Sequence, residues 1–246
     1  MDRSILSRPG PDPDEVVRYG ASPDQVADIW RPREVRHPAL VLIHGGFWRP
    51  RYDRTHTRPM AAALRAEGWP VASLEYRREP GNPDAYTEDV KRALEFLSGE
   101  LPGEGVVLAG HSAGGHLALW VAATCPPAGL LGTVALAPVA DLRQADDANL
   151  GDGAVGAFLG GPAESRPDLD PVRLDEPAAP VALVHGTEDT GVPSSVSKSY
   201  VDSHPRARLV LLPGIAHFEL IDPGSAAWPR VLRELDAAGR PARRPG

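Results

Sequence analysis

The chain has 246 residues, 42% of them hydrophobic and 24% charged, with a formal net charge of -7. That length suits one α/β domain with a buried sheet. The acidic balance gives no electrostatic reason to hold nucleic acid or an anionic membrane surface, so neither is an expected partner.

The opening MDRSILSRPGPDPDE lacks the apolar core of a secretory signal, and residues 1–15 read as a flexible lead. Val16–Tyr19 and Gln25–Trp30 then suit an antiparallel pair. Ala39–Ile43 (ALVLI) is a continuous apolar run, the pattern of a strand buried on both faces. Thr57–Glu67 reads as a helix with Met60, Ala63 and Leu64 as its apolar stripe, and Trp69–Leu74 as a strand. Pro83–Ser98 places Val90, Leu94 and Leu97 at helical spacing, with acids Asp84 and Glu88 early, where the helix dipole favours them. Val106–Ala109 is another buried strand, and Gly115–Ala123 a helix of small residues. Leu131–Leu136, Pro180–Val184 and Leu209–Leu212 complete the strands; Ser194–Ser203 and Ala226–Ala238 complete the helices. Residues 239–246 read as a disordered tail.

Strand and helix alternating in this way predict a mostly parallel central sheet with helices on both faces, over residues 16–238. Asp141–Glu176 breaks the rhythm. It is rich in Asp, Gly and Pro, with Val155, Phe158 and Leu159 as its apolar cluster. A segment this long in a compact domain is expected to act as a small cap bearing on substrate choice. Cys125 is the one cysteine, which excludes an intrachain disulfide and suits a reducing compartment. It reads as a small half-buried apolar residue near a helix end. No run approaches the roughly 18 apolar residues that span a bilayer. A cytoplasmic protein is the expectation.

In parallel sheets of this kind, reactive residues gather just after the strands. Four loops meet that test. Gly110-His111-Ser112-Ala113-Gly114 follows the VVLA strand and opens a helix. This G-x-S-x-G pattern places a serine on a turn so tight that a Cβ on the flanking residues would clash. His44-Gly45-Gly46-Phe47-Trp48 follows ALVLI. Acyl transfer builds negative charge on a carbonyl oxygen, and the N–H groups of Gly45 or Gly46, with that of Ala113, are the expected donors to it. Phe47, Trp48 and His111 are expected to wall the substrate pocket. His44 reads as a structural hydrogen-bonding residue. Asp189, in His185-Gly186-Thr187-Glu188-Asp189, is the expected carboxylate, with Glu188 its nearest rival and Asp141 and Asp222 weaker ones. His217, in Gly214-Ile215-Ala216-His217-Phe218, is the expected base. His37, His56 and His204 read as surface residues. The histidines lack a supporting cysteine or carboxylate cluster at ligand spacing, so no metal is expected. No G-x-G-x-x-G is present, and no cofactor is expected.

The order Ser112, Asp189, His217 is that of the α/β-hydrolase fold. His44-Gly45-Gly46 and Gly110-His111-Ser112-Ala113-Gly114-Gly115-His116-Leu117 resemble the hormone-sensitive-lipase-like branch of that fold. His44-Gly45-Gly46-Phe47-Trp48 more closely resembles the H-G-G-x-W motif of kynurenine formamidases (arylformamidases). Tyr19-Gly20, Pro23-Asp24-Gln25, Ile29-Trp30-Arg31-Pro32 and His217-Phe218-Glu219 fit the same resemblance, which spans roughly residues 16–235. The resemblance implies a serine hydrolase that cleaves a small carboxylic ester or aryl formamide through an acyl-enzyme. Its triad carries onto Ser112, Asp189 and His217, and its oxyanion hole onto Gly45, Gly46 and Ala113. The alternatives are a broad carboxylesterase, an acyl transferase with an acceptor other than water, and a non-catalytic binding protein. The expected partner is a small-molecule ester or formamide; a homodimer is the one protein assembly considered.

Overall fold

The computed structural model describes residues 2–240. Eight strands form one sheet: β1 (Glu15–Arg18), β2 (Val26–Trp30), β3 (Ala39–Ile43), β4 (Val71–Leu74), β5 (Val106–His111), β6 (Leu130–Leu136), β7 (Val181–Gly186) and β8 (Arg208–Leu212). Their spatial order is β1-β2-β4-β3-β5-β6-β7-β8. β1 pairs antiparallel with β2, and β2 with β4; every later neighbour is parallel. The crossovers carry helices α1 (Arg58–Glu67), α2 (Pro83–Leu97), α3 (Ala113–Thr124) and α6 (Ser194–Ser203), and α7 (Trp228–Ala238) closes the chain. This is the α/β-hydrolase architecture.

The apolar strands are explained by which faces they bury. All five residues of β3 are buried. Val41 and Ile43 point to one core, Leu40 and Leu42 to the other, as the period of two requires. The first core takes in α2, α3 and α6; the second takes in α1 and α7. α3 is buried along Ala113–Ala122, which is why it is apolar on nearly every face rather than amphipathic. The edge strands β1 and β8 each bury a single residue.

One expectation changes. Residues 2–15, read as a flexible lead, are tied to the domain at single points. Ser4–Leu6 makes a short 3₁₀ turn whose Ile5 is buried in the second core. Arg8 pairs with Asp222 at 2.6 Å, and Asp14 with Arg65 at 2.7 Å. The Pro- and Gly-rich composition hid this, because one buried isoleucine sets no periodicity. The 239–246 tail lies outside the described residues from 241 onward. The segment 141–176 forms helices α4 (Leu142–Asp147) and α5 (Ala154–Leu159) and three 3₁₀ turns. It is stitched down by main-chain acceptors: Leu169 O receives His116 Nε2 at 2.8 Å, and Asp168 O receives Trp120 Nε1 at 3.0 Å.

Candidate active site

β5 ends at His111, and the chain turns into α3 through Ser112, at φ 55° and ψ -119°. A side chain in that region is strained. Neighbours hold it there. Ser112 N donates to Leu136 O at 2.9 Å, and Ser112 O accepts from His116 N at 3.0 Å. Gly114 is required by close approach: a Cβ there would lie 2.1 Å from Ile43 O. The elbow is thereby clamped against the end of β3, and Ser112 sits at the positive end of α3.

The loop after β3 is the second wall. Gly46 has φ 121°, and Phe47 and Trp48 follow at 51° and 56°. Two consecutive non-glycine residues in the left-handed region need outside support. The backbone is held by His44, whose Nδ1 lies 2.8 Å from Gly45 O and whose Nε2 lies 2.9 Å from buried Glu75 Oε1. Tyr76 donates its hydroxyl to His44 O at 2.8 Å, and Tyr86 donates to Trp48 O at 3.0 Å. Among the described residues, the amides of Gly45, Gly46 and Ala113 donate to no other protein group. The Cα of Gly45 packs directly on the elbow: a Cβ on it would stand 3.0 Å from that of Ser112.

The late loops supply the acid and the base. His217 Nδ1 donates to Asp189 Oδ2 at 2.6 Å. Asp189 Oδ1 accepts from Gly191 N and Val192 N, both at 2.8 Å. His185 Nε2 stands 3.4 Å from Asp189 Oδ2. Burial alone would raise the Asp189 carboxyl; hydrogen bonds from His185 and His217 outweigh it and hold the group well below the usual carboxylate range. Asp189 is therefore a fixed anion behind His217. Glu188 is exposed, Asp141 caps α4 by accepting from Gln144 N at 2.8 Å, and Asp222 is paired with Arg8. None of the three rivals faces His217.

Ser112 and His217 line one cavity of about 100 Å³, with Gly46, Phe47, Tyr52, His56, His111 and Phe218 around them and Arg3, Leu6 and Gly191 at its edge. His111 donates Nε2–H to His217 O at 3.1 Å and packs its ring against that of His217 at 4.5 Å. Burial pushes the His111 imidazole well below its ordinary value, and His217 reinforces this, so it is neutral.

Trp48 does not wall the pocket. It is 2% exposed and stacks on Phe158 of α5 at 4.5 Å. The backbone reversal at Phe47 and Trp48 sends one ring into the cavity and the other behind it. The cap segment likewise contributes no lining residue. It acts one layer back, through Phe158 on Trp48 and through Arg49, which donates to Gly151 O. His56 and His204 are buried, not surface residues. His56 lines the cavity; His204 stacks on Tyr200 at 4.2 Å. The sequence reading missed Arg3, Leu6, Tyr52, His56, Gly191 and Phe218 as lining residues. Phe218 adjoins His217 and Tyr52 closes the turn after the His44 motif, so adjacency was a usable signal for those two. Arg3 and Leu6 gave none.

Among the described residues, no group of three or more His, Cys, Asp or Glu is placed to hold a metal ion, and no helix is long and apolar enough to cross a membrane.

The BD-FAE family model matches residues 27–203, most of the chain, from within β2 to the end of α6. The chain belongs to the BD-FAE family. Relatives of this BD-FAE protein include esterase LipC of Mycobacterium tuberculosis, 26% identical over 84% of this chain and 60% of LipC. A kynurenine formamidase of Meyerozyma guilliermondii is 31% identical over 44% of this chain and 42% of its own length. The chain thus spans less than two thirds of either relative. Among solved structures, esterase B of Lactobacillus rhamnosis superposes with a TM-score of 0.77 at 22% identity, covering 96% of this chain and 90% of that one. A Silicibacter structure gives a TM-score of 0.75 at 24% identity, over 89% of this chain and 86% of that one. These likenesses confirm the fold.

Proposed function

We propose that this BD-FAE protein is a serine hydrolase that cleaves small carboxylic esters or aryl formamides through an acyl-enzyme, with Ser112 as nucleophile, His217 as base and Asp189 as its orienting acid. The observation that carries the reading is the 2.6 Å bond from His217 Nδ1 to a buried, ionised Asp189, with His217 and the strained Ser112 in one cavity. Asp189 fixes the tautomer that leaves His217 Nε2 free to accept a proton. His217 takes the Ser112 proton as the hydroxyl oxygen bonds to the substrate carbonyl carbon. The free amides of Gly45 or Gly46 and of Ala113 receive the oxyanion. His217 then gives the proton to the departing alcohol or amine. Water, deprotonated by His217, releases the acid and restores Ser112.

The small cavity favours a short acyl group. About 100 Å³ is well below the roughly 300–1,000 Å³ of drug-sized ligand pockets. Formyl and acetyl groups fit that limit, in keeping with the kynurenine formamidase relatives of Meyerozyma guilliermondii and Salmo salar. A reducing, cytoplasmic setting suits a chain whose one cysteine has no partner to oxidise with. The test is turnover of N-formylkynurenine beside p-nitrophenyl acetate and p-nitrophenyl octanoate. The account expects turnover of the formamide and acetate and little of the octanoate. No turnover of the formamide would remove the formamidase reading and leave a short-chain esterase.

A further inference from the structure

The chain carries a net charge of -7, yet no carboxylate lines the cavity and an arginine stands at its rim. That residue is Arg3, exposed and supplied by the N-terminal segment. Its guanidinium is placed, not loose. Nη2 donates to Tyr52 Oη at 2.9 Å, and Cζ lies 5.6 Å from the centre of the Phe218 ring. Both contacts are to lining residues. A second guanidinium, that of Arg51, lies 4.9 Å from the Tyr52 ring centre.

Neither arginine has a carboxylate partner among the described residues. Asp2 in the same segment and Asp222 after the Phe218–Ile221 turn are engaged elsewhere. Asp2 accepts from Ser4 N at 2.8 Å, and Asp222 is held by Arg8. A guanidinium has five N–H donors, and Arg3 uses one of its own on protein. Its remaining N–H groups form a fork that suits the two oxygens of a carboxylate.

We propose that Arg3 is a specificity-determining residue that selects substrates carrying a carboxylate on the part that projects from the cavity to its rim, with Arg51 adding to the attraction. The proposal rests on the hydrolase reading above. It assigns the N-terminal segment a role in recognition, and it names the substrate class as short acyl esters or amides of an acid-bearing leaving group.

The test pairs 4-acetoxybenzoate with its methyl ester, which differ by one charge at the far end of the leaving group. The ratio of kcat/KM for the acid over the methyl ester should fall roughly tenfold in Arg3→Ala, the loss of one charge-assisted pair. Arg3→Lys should recover part of it, since charge remains and the fork is lost. Added salt should lower the wild-type ratio and leave that of Arg3→Ala flat. A ratio that Arg3→Ala does not move, including one where both substrates decline together, overturns the proposal and leaves Arg3 a packing residue. Binding separates this from the hydrolase reading. In Ser112→Ala protein, 4-acetoxybenzoate measured by calorimetry should bind roughly tenfold more weakly once Arg3→Ala is added. If wild type hydrolyses neither ester while that binding difference stands, the hydrolase reading alone fails. If Ser112 turns over both esters and the ratio is unmoved, the Arg3 proposal alone fails.

Discussion

At the scale of residues, the account depends on a few side chains whose settings differ in kind. Ser112 is strained and packed, so its variants separate catalysis from stability. Ser112→Ala should cut turnover at least about 10⁴-fold. Alanine keeps a Cβ at φ 55°, so its melting temperature should stay near that of the wild type. Ser112→Gly should melt above Ser112→Ala, because only glycine relieves a strain of about 1–2 kcal/mol. Paired thermal melts and ester assays check both. Asp189→Asn should lower kcat by roughly 10⁴-fold through the wrong His217 tautomer, as measured by steady-state kinetics. The residue types of this triad were legible because each follows an apolar strand run and the three fall in a fixed chain order. Trp48 was not. Its neighbour Phe47 has nearly the same φ, and the Phe158 ring behind the loop takes Trp48 as its stacking partner.

At the scale of elements, the segment 141–176 packs one layer behind the site, as a brace for the loop after β3 would. α5 stacks Phe158 on Trp48, and Tyr86 of α2 meets the same ring edge-on at 5.0 Å. This packing keeps two left-handed residues in place beside the free amides of Gly45 and Gly46. Phe158→Ala should destabilise the fold by about 3–5 kcal/mol, as buried aromatic deletions do. It should also lower kcat more than Leu64→Ala, a core deletion in α1 on the opposite face of the sheet. Equal effects of the two on kcat would contradict a brace. The same segment holds Asp170, fully buried, whose Oδ1 accepts from Leu142 N at 2.9 Å while Oδ2 has no partner. Burial, with Asp141 nearby, pushes its carboxyl up to about 6. A carboxyl raised in the folded state favours folding in its protonated form, and that contribution is lost as pH rises from about 4 through about 6. The melting temperature of Asp170→Asn relative to wild type should therefore increase between pH 4.5 and pH 7.5. Strands and helices here were readable from period alone, since a residue buried on both faces or on one stripe leaves a pattern. The brace was not readable, because α4 and α5 have six residues each and give too few turns to set a period. The anchoring of residues 2–15 escaped for the same reason: it runs through Ile5, Arg8 and Asp14 singly.

At the scale of the molecule, four buried histidines set the acid limit. Burial pushes His44 and His56 down to about 3 and His116 to about 4, and it holds His111 well below its ordinary value. All four are neutral in the fold and take up protons once unfolded. A base depressed in the folded state contributes stability that is complete above about 6.5 and is lost as pH falls below it. Each therefore removes up to about 1.4 kcal/mol per pH unit in that window, against the smaller opposing gain from Asp170. Melts at pH 7.5, 6 and 5 should show a steep fall; a flat profile would mean that these rings are protonated in the fold.

The central claim is that Ser112 is an activated nucleophile. Incubation of the folded protein with a fluorophosphonate probe, followed by peptide mass spectrometry, tests it most directly. The account predicts one adduct, on Ser112, that forms far more slowly in Asp189→Asn. A folded protein whose Ser112 stays unlabelled, or a label placed on another serine, would contradict it.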